Sequence, residues 1–177
     1  MSWRKLDSRV VFDNPWMTVR EDRVINPGGG ENLYGHVHFK NRAVAIVPLD
    51  EEKHTWLVGQ QRYTLDTYSW ELPMGGAPLP EEPLAAAKRE LREETGLSAE
   101  HWTETLRLHT SNSITDEVGI VYVARNLTEG ETEFEETEDL AIRRLPLDEA
   151  VAMCLDGRIT DAISVAALLA VAVRTAS

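Results

Sequence analysis

The sequence predicts an α/β fold in which helices flank a mixed β-sheet, preceded by an antiparallel N-terminal strand unit. The first observation is a series of short apolar runs, broken by turn residues, along the N-terminal third of the chain. The second is a set of helix-forming segments at 83–95, 147–155 and 160–174, which follow strands. Strands combined with helices in this order favour a layered α/β arrangement.

The first 40 residues contain the N-terminal strand unit. We expect strands at Arg9–Phe12, Met17–Ile25 and Tyr34–Phe39, with the glycine-rich turn Asn26–Gly30 between the last two. Residues 41–177 would form the main domain. At 177 residues the whole chain is most simply a single domain, with enough length for a full core.

The main domain is predicted to continue with further strands and then helices. The expected strands are Arg42–Pro48, Thr55–Gln61, Leu106–His109, Gly119–Ala124 and Leu140–Leu145. The apolar stretch at 162–173 is too short to span a bilayer and is predicted to be a buried C-terminal helix. Thr160 or Asp161 would cap its start.

The helix predicted from Leu84 to Thr95 contains three closely spaced glutamates, in the run RELREETG. At about 100° per residue, Glu90 and Glu94 lie roughly 40° apart on the helix surface, and Glu93 lies about 60° to the other side of Glu90. Like charges at this spacing repel, so a cation would stabilise them. A divalent metal with oxygen ligands fits this arrangement, whereas an ordinary solvated helix face is the alternative interpretation.

Net charge and cysteine content restrict the classes of function. A formal net charge of −12 argues against binding to duplex nucleic acid, because phosphate backbones require a basic surface. A small phosphate ligand remains compatible, since bound divalent cations reverse the local charge. Cys154 is the single cysteine, so we expect no intramolecular disulfide, and a cytoplasmic location with no membrane partner is the default expectation.

Residues 75–97, GGAPLPEEPLAAAKRELREETGL, resemble the Nudix box. All nine specified positions are filled with the correct gaps over 23 residues. Those positions are Gly75, Glu81, Arg89, Glu90, Leu91, Glu93, Glu94, Gly96 and Leu97. The resemblance implies a Nudix-type α/β/α sandwich and a loop–helix–loop that holds magnesium or manganese against a diphosphate.

The segments before and after the box resemble one subfamily of the Nudix hydrolases. VGQQRYTLDTYSWELPMGG at 58–76 is similar to the region before the box in ADP-ribose and nucleoside-diphosphate-sugar pyrophosphatases, with its Gln-x-Arg and Glu-Leu-Pro-x-Gly elements. The tail at 157–169 also resembles that subfamily. The resemblance implies hydrolysis of a nucleoside diphosphate derivative to a nucleoside monophosphate and a sugar phosphate.

The resemblance also implies roles for individual residues. Glu90 and Glu94 would bind the metal, Glu93 would bind it or position its water, and the Met74 carbonyl would complete the shell. Arg89 would orient the glutamates through its rigid donor fork. Glu81 would either take part in the site or, near the helix start, interact with the helix dipole.

A base must take the proton from the attacking water. By resemblance to a late loop of ADP-ribose pyrophosphatases, Glu136 is the first choice and Glu138 the second. The surrounding acidic run, Glu129 to Asp139, is equally compatible with a solvated loop. Glu117 is a further metal-binding or base candidate.

Substrate-binding candidates lie before the box. Gly75 and Gly76 would let the backbone approach the metal and phosphates closely. Arg62 of the Gln-x-Arg element would contact a phosphate or the terminal sugar, and Glu71 of the Glu-Leu-Pro-x-Gly element is a further substrate-binding candidate. Trp70 would stack on a ring, or simply belong to the core.

Members of this subfamily are commonly homodimers whose N-terminal strands help to build the partner's pocket. The aromatic residues Trp16, Tyr34 and Phe39 could serve that contact, or they could pack onto their own chain. Two other functions remain open: hydrolysis of a dinucleotide or nucleoside triphosphate, and binding of ADP-ribose without cleavage.

Overall fold

A computed structural model describes residues 2–132 and 140–175 of the chain. Within these residues lie ten strands and three helices. In chain order they are β1 (Arg4–Asp13), β2 (Met17–Ile25), β3 (Glu31–Phe39), β4 (Asn41–Pro48), β5 (His54–Arg62), β6 (Thr67–Glu71), β7 (Met74–Pro78), α1 (Pro83–Thr95), β8 (Leu97–His109), β9 (Val118–Glu129), β10 (Ala141–Pro146), α2 (Leu147–Leu155) and α3 (Ala162–Thr175).

The N-terminal strands form a sheet of their own, in the order β1-β2-β3, with antiparallel pairing throughout. The predicted turn joins β2 to β3. There the Asn26 side chain accepts hydrogen bonds from the amides of Gly28 and Gly30 at 2.9 and 3.1 Å, while Gly29 adopts a φ of 91°. A side-chain amide that bonds nearby backbone and a glycine with positive φ both stabilise tight turns.

The central sheet has the order β7-β4-β9-β8, in which β4 and β9 are parallel and the other neighbours antiparallel. Successive side chains of β4 face opposite sides, because strand residues alternate. Val44 and Ile46 pack with Ala87 and Leu91 of α1, and Ala45 packs in a second cluster with residues of α2 and α3. This confirms the mixed sheet between helical layers.

A second small sheet, β10-β5-β6, completes the fold and was not expected as a separate sheet. Its β5 carries the apolar residues Leu57 and Val58, which are almost completely buried. Strands β6 and β7 were also not predicted. Proline and glycine in residues 72–78 mask the strand pattern of β7, since both residue types are unfavourable inside strands.

Strand β8 begins at Leu97, nine residues earlier than predicted. Most of its side chains are at least partly exposed, and a register shift between Glu104 and Leu106 interrupts the alternation. The period-2 signal was therefore present only near its end.

Helix α1 begins and ends as predicted. Pro83 occupies the first turn, and Gly96 ends the helix with a φ of 72° and an amide that donates to the Arg92 carbonyl. Ala86, Ala87 and Leu91 form its fully buried stripe, and the partly buried Leu84 packs against the same cluster.

Helix α3 begins as predicted at an Asp161 cap, whose Oδ2 accepts a hydrogen bond from the Ser164 amide at 2.7 Å. No helix within residues 2–132 and 140–175 is both long and apolar enough to cross a membrane.

The loop at 111–117 attaches the N-terminal sheet to the main domain. Val37 donates its amide to the Ile114 carbonyl at 2.8 Å and accepts from the Asp116 amide at 3.3 Å. The Asp116 carboxylate also bonds His38 at 2.5 Å and the Phe39 amide at 2.9 Å. Most of this loop therefore holds β3 in place.

Candidate active site

Helix α1 carries two glutamates into the interior. Glu90 is 9% exposed and Glu94 is 3% exposed, although a glutamate side chain in water is charged at neutral pH. They lie one turn apart, next to the buried stripe of the helix, so that packing α1 on the sheet also buries their carboxylates. Buried charges require compensating partners.

Glycine at position 75 makes room for one of these carboxylates. A Cβ atom placed on Gly75 would lie 2.1 Å from the carboxyl carbon of Glu90. Strand β7 can therefore pass directly over the acidic side chain only because this residue has no side chain. A Cβ on Gly76 would lie 3.0 Å from the Asn41 side chain, so the second glycine also sits in a tight place.

Arg89 joins several acidic residues of the motif. Its guanidinium contacts Glu93 Oε2 at 2.8 Å, Glu90 Oε1 at 2.9 Å and, more distantly, Glu81 Oε2 at 3.6 Å. It also donates to the Gly76 carbonyl at 3.0 Å. Desolvation lowers the pKa of Arg89, but the carboxylates of Glu90 and Glu93 outweigh it and raise that pKa above its usual value.

Glu94 has a different partner. Its Oε2 accepts a hydrogen bond from the Met74 amide at 2.9 Å, which ties helix α1 to the start of β7. Glu90 and Glu93 thus share Arg89, and Glu94 bonds the Met74 amide.

The side chains of this region fit a hard divalent cation. Carboxylate and backbone oxygens are the ligands that Mg²⁺ prefers, and it commonly uses one or two carboxylates together with waters and phosphates. Glu90 and Glu94 supply buried carboxylates, Glu93 supplies a partly buried one, and Gly75 leaves the space beside Glu90 that a Cβ would fill.

Two clefts flank this arrangement. The first, which we call the box cleft, has a volume of about 460 Å³ and is lined by Asn41, Met74, Gly75, Gly76, Pro78, Glu81, Arg89 and Glu90. The second, which we call the distal cleft, has a volume of about 560 Å³ and is lined by Phe39, Arg62, Thr64, Leu65, Ser69, Glu71, Glu117, Thr160 and Asp161. The structure thus brings together most of the predicted site residues around α1 and β7.

Arg62 and Glu71 form an ion pair in the distal cleft. Arg62 Nε donates to Glu71 Oε1 at 2.9 Å, and a second guanidinium nitrogen bonds Oε2. Glu71 is only 3% exposed, so this two-point pairing compensates its buried charge. Arg62 pairs with Thr67 in the β5–β6 ladder and Glu71 pairs with Val58, so the two side chains reach each other along the ladder from its opposite ends.

Trp70 packs against the core and meets Tyr68 edge-on, with ring centroids 5.7 Å apart. It is not among the lining residues of either cleft. Of the two roles the sequence left open for Trp70, the structure favours packing.

Sequence reasoning missed Asn41, Phe39 and Asp161 as lining residues. Asn41 and Phe39 flank the β3–β4 junction, and no local motif marks them. Asp161 was recognised only as a helix cap, and its position in a cleft follows from the packing of α3. The base candidates Glu136 and Glu138 lie outside the described residues.

Another acidic group lies away from this site. Ligand atoms of Asp50, Glu52 and His54 lie within 4.8 Å of one another. Arg144 pairs with Asp50 at 2.5 Å and with Glu52 at 2.6 Å, so a side-chain cation already compensates these carboxylates. We assign no metal to this surface group.

Comparison with known proteins identifies the family. Residues 39–168 match the NUDIX domain, and residues 3–37 match the nucleoside diphosphate sugar hydrolase N-terminal domain. The chain therefore belongs to the Nudix family, and it is a Nudix pyrophosphatase, a hydrolase acting on phosphorus-containing acid anhydrides.

Individual relatives agree with this assignment. The chain is 37% identical to an ADP-ribose pyrophosphatase of Mycobacterium tuberculosis, over 94% of this chain and 81% of the relative. It is 32% identical to the CMP-5'-(N-acetyl-N-hydroxy-3-aminopropyl)phosphonate hydrolase of Streptomyces rubellomurinus, over 97% of this chain and 82% of the relative. A crystal structure of an ADP compounds hydrolase superposes with a TM-score of 0.89 at 25% identity, covering 99% of this chain and 95% of that one.

Proposed function

We propose that this protein hydrolyses the diphosphate linkage of ADP-ribose or a nucleoside-diphosphate sugar, giving a nucleoside monophosphate and a sugar phosphate. The observation that carries the proposal is the complete motif folded into one site, with Glu90 and Glu94 buried beside the Gly75–Gly76 backbone. The similarity to an ADP-ribose pyrophosphatase over 94% of this chain supports the choice of substrate class.

The reaction would depend on a divalent metal, Mg²⁺ or Mn²⁺. Glu90, Glu94 and Glu93, with the Met74 carbonyl, would hold the ion. When bound, the metal would neutralise the diphosphate oxygens and stabilise charge that develops at phosphorus. Arg89 would keep Glu90 and Glu93 in place, which is the geometry that its two short contacts support.

The proton of the attacking water requires a base. We assign this role to Glu136, with Glu138 as the alternative, on the resemblance of their segment to a late loop of the subfamily. The test is the pH–rate profile of Glu136→Gln. It should lose the acidic limb and most of its turnover, whereas turnover near the wild-type rate in a folded variant would exclude Glu136.

The substrate would lie across both clefts. The diphosphate would lie against the Gly75–Gly76 backbone in the box cleft. Arg62 and Glu71 would contact the other half of the substrate in the distal cleft, where their ion pair presents a fixed guanidinium plane. Glu81 would act indirectly through Arg89, 3.6 Å away.

We further propose a homodimer formed through the N-terminal strand unit, residues 1–40. Strand β1 exposes a run of large apolar side chains, with Val10, Val11 and Phe12 each at least 50% exposed, and Trp16 after it is 66% exposed. An apolar surface of this kind is typical of a protein–protein contact. Tyr34 differs from Trp16, because its hydroxyl donates to the Ser113 carbonyl and its ring packs on Trp3 of the same chain.

The test is a turnover panel with ADP-ribose, several nucleoside-diphosphate sugars, dinucleotides and nucleoside triphosphates, each with Mg²⁺ or Mn²⁺. A coupled phosphatase reports the monophosphate products. We expect a clear preference for ADP-ribose or a nucleotide sugar. Preference for a triphosphate would instead support a different Nudix hydrolase, and affinity for ADP-ribose without turnover would indicate a binding domain.

A matched pair of variants isolates the metal site. Glu94→Gln should lower turnover by at least about 100-fold, because it removes a charged metal ligand. Glu100→Gln makes the same chemical change at an exposed position on β8 and should retain wild-type turnover. Equal activity of the two variants would contradict the assignment of Glu94.

A further inference from the structure

The distal cleft adjoins the metal-binding region electrostatically. The hydrogen bond from Arg62 to Glu71 raises the pKa of Arg62, burial opposes this shift, and the charges of Asp161 and Glu94 add to the increase. The negative charges of the acidic motif and of the α3 cap thus both act on Arg62. Glu71, which bonds Arg62 in this cleft, and Met74, which bonds Glu94, lie only three residues apart, so the distal cleft adjoins the glutamate site.

The charge of the distal cleft is predominantly negative. Its lining includes one arginine and three acidic residues, Glu71, Glu117 and Asp161. Arg62 is engaged with Glu71 on two nitrogens, and that pair is close to neutral. The two remaining carboxylates belong to no ion pair among the described residues, so they set the sign of the potential in the cleft.

Glu117 and Asp161 are each held by one oxygen only. Thr110 Oγ1 donates to Glu117 Oε2 at 2.5 Å, and the Ser164 amide donates to Asp161 Oδ2 at 2.7 Å. Within the described part of the chain, the other carboxylate oxygen of each residue accepts no hydrogen bond. Two oriented anionic acceptors therefore remain for a ligand, on side chains whose positions are already fixed.

Anionic acceptors select for a particular chemistry. Sugar hydroxyls donate hydrogen bonds, and bonds to a carboxylate are stronger than bonds between neutral groups. A terminal phosphate offers only acceptors and negative charge, so the same two carboxylates would repel it. The cleft thus disfavours nucleoside triphosphates through repulsion as well as favouring polyols through attraction.

We infer that Glu117 and Asp161 are specificity-determining residues, which accept hydrogen bonds from an uncharged, hydroxyl-bearing group in the distal cleft and exclude a terminal phosphate there. This inference rests on the proposed function, since it concerns the group attached to the nucleoside diphosphate. The group attached to the nucleoside diphosphate would then be a neutral sugar.

The test compares kcat/KM for ADP-ribose and for ATP in wild type and in the double variant Glu117→Gln, Asp161→Asn. Both changes remove charge but keep an oxygen for the Thr110 and Ser164 contacts, and asparagine caps helices as well as aspartate does. The preference for ADP-ribose over ATP should fall by at least about 10-fold. Glu100→Gln, exposed on β8, should leave the preference unchanged.

Two outcomes would overturn the inference. An unchanged preference for ADP-ribose over ATP, with both substrates still turned over by the double variant, would show that these carboxylates do not discriminate between a sugar and a terminal phosphate. An equal rise in the Mg²⁺ concentration needed for half-maximal rate, with all substrates, would show that they hold a cation instead. Thermal unfolding of both variants checks that the comparison concerns folded protein.

A binding measurement separates this inference from the proposed function. Calorimetry without divalent metal measures the affinity of the protein for ADP-ribose and for ATP. This measurement is possible even if the wild-type protein hydrolyses neither compound. The double variant should bind ADP-ribose more weakly and ATP more tightly than wild type. Equal affinities of wild type and variant for each compound, or no binding of ADP-ribose by wild type, would contradict the inference. Wild-type selectivity for ADP-ribose without turnover would overturn only the proposed hydrolysis.

Discussion

Glu90 and Glu94 place two negative charges inside the protein, and each has a specific polar partner. Arg89 contacts Glu90 at 2.9 Å, and the Met74 amide donates to Glu94 at 2.9 Å. Because buried charges are costly without partners, these contacts hold the carboxylates in defined positions before any ligand arrives. At the scale of single residues the site is therefore preorganised by its own helix and by the β7 backbone.

Gly75→Ala tests how closely the backbone passes the acidic site. The new Cβ would lie 2.1 Å from the Glu90 carboxyl carbon, so that Glu90 or strand β7 must move. We expect a loss of about 1–3 kcal/mol in the free energy of unfolding, as for overpacked sites, measured by chemical denaturation. Displacement of Glu90 should also reduce turnover by about 100-fold.

Gly35→Ala is the matched control for this substitution. An added Cβ at Gly35 in β3 meets no heavy atom within 4 Å, and its backbone needs no positive φ. This variant should retain wild-type turnover. If Gly75→Ala also behaved like wild type, the close approach of β7 to Glu90 would be wrong.

At the scale of elements, the segment between β6 and β7 connects the two clefts. Glu71 faces Arg62 on one side, and Met74 bonds Glu94 on the other. Between them the Leu72 amide donates to Ser164 Oγ of α3 at 2.9 Å, and Ser164 is fully buried. One hydroxyl thus joins helix α3 to the segment on which both clefts depend.

Ser164→Ala removes that connection. The Leu72 amide would lose its acceptor inside the protein, and an unsatisfied buried group costs about 1–3 kcal/mol. We expect urea denaturation to show a loss of this size. Ser98→Ala, at an exposed position, should stay within about 0.5 kcal/mol of wild type. Equal stabilities of the two alanine variants would mean that the Ser164 contact contributes nothing.

The bounds of helix α1 could be predicted from the sequence because the signals that begin and end this helix are local. Pro83, the apolar stripe and Gly96 lie within 14 residues of one another and specify the helix without tertiary information. The distal cleft could not be predicted in the same way. Glu117 and Asp161 lie 44 positions apart in the chain, and only the packing of α3 brings them to one cleft.

The whole molecule consists of a layered main domain and a separate three-stranded sheet, joined through the 111–117 loop. The matches to family models at 3–37 and 39–168 follow this structural division. The division of a single domain into a strand unit at 1–40 and a main part at 41–177 stays a prediction. The outer strand of the N-terminal sheet leaves apolar side chains exposed, and this surface carries the proposed dimer.

The proposed homodimer is tested by measuring the mass of the protein in solution by light scattering. The wild-type protein should have twice the 19.9 kDa mass of the chain. Val11→Asp places a charge on the exposed apolar face of β1 and should shift the protein towards the monomer, because burying an unpaired charge is unfavourable. Leu155→Asp makes a comparable change at the exposed end of α2 and should remain dimeric. A monomeric wild-type protein would contradict the dimer.

The most direct test of the central claim is ³¹P NMR of the products formed from ADP-ribose in Mg²⁺. The account predicts that the diphosphate resonances are replaced by two monoester resonances, those of AMP and ribose phosphate. A chelator, or the Glu94→Gln substitution, should abolish this change. Unaltered diphosphate resonances with the wild-type enzyme in Mg²⁺, or cleavage that persists at full rate in the chelator, would contradict metal-dependent hydrolysis of the diphosphate linkage.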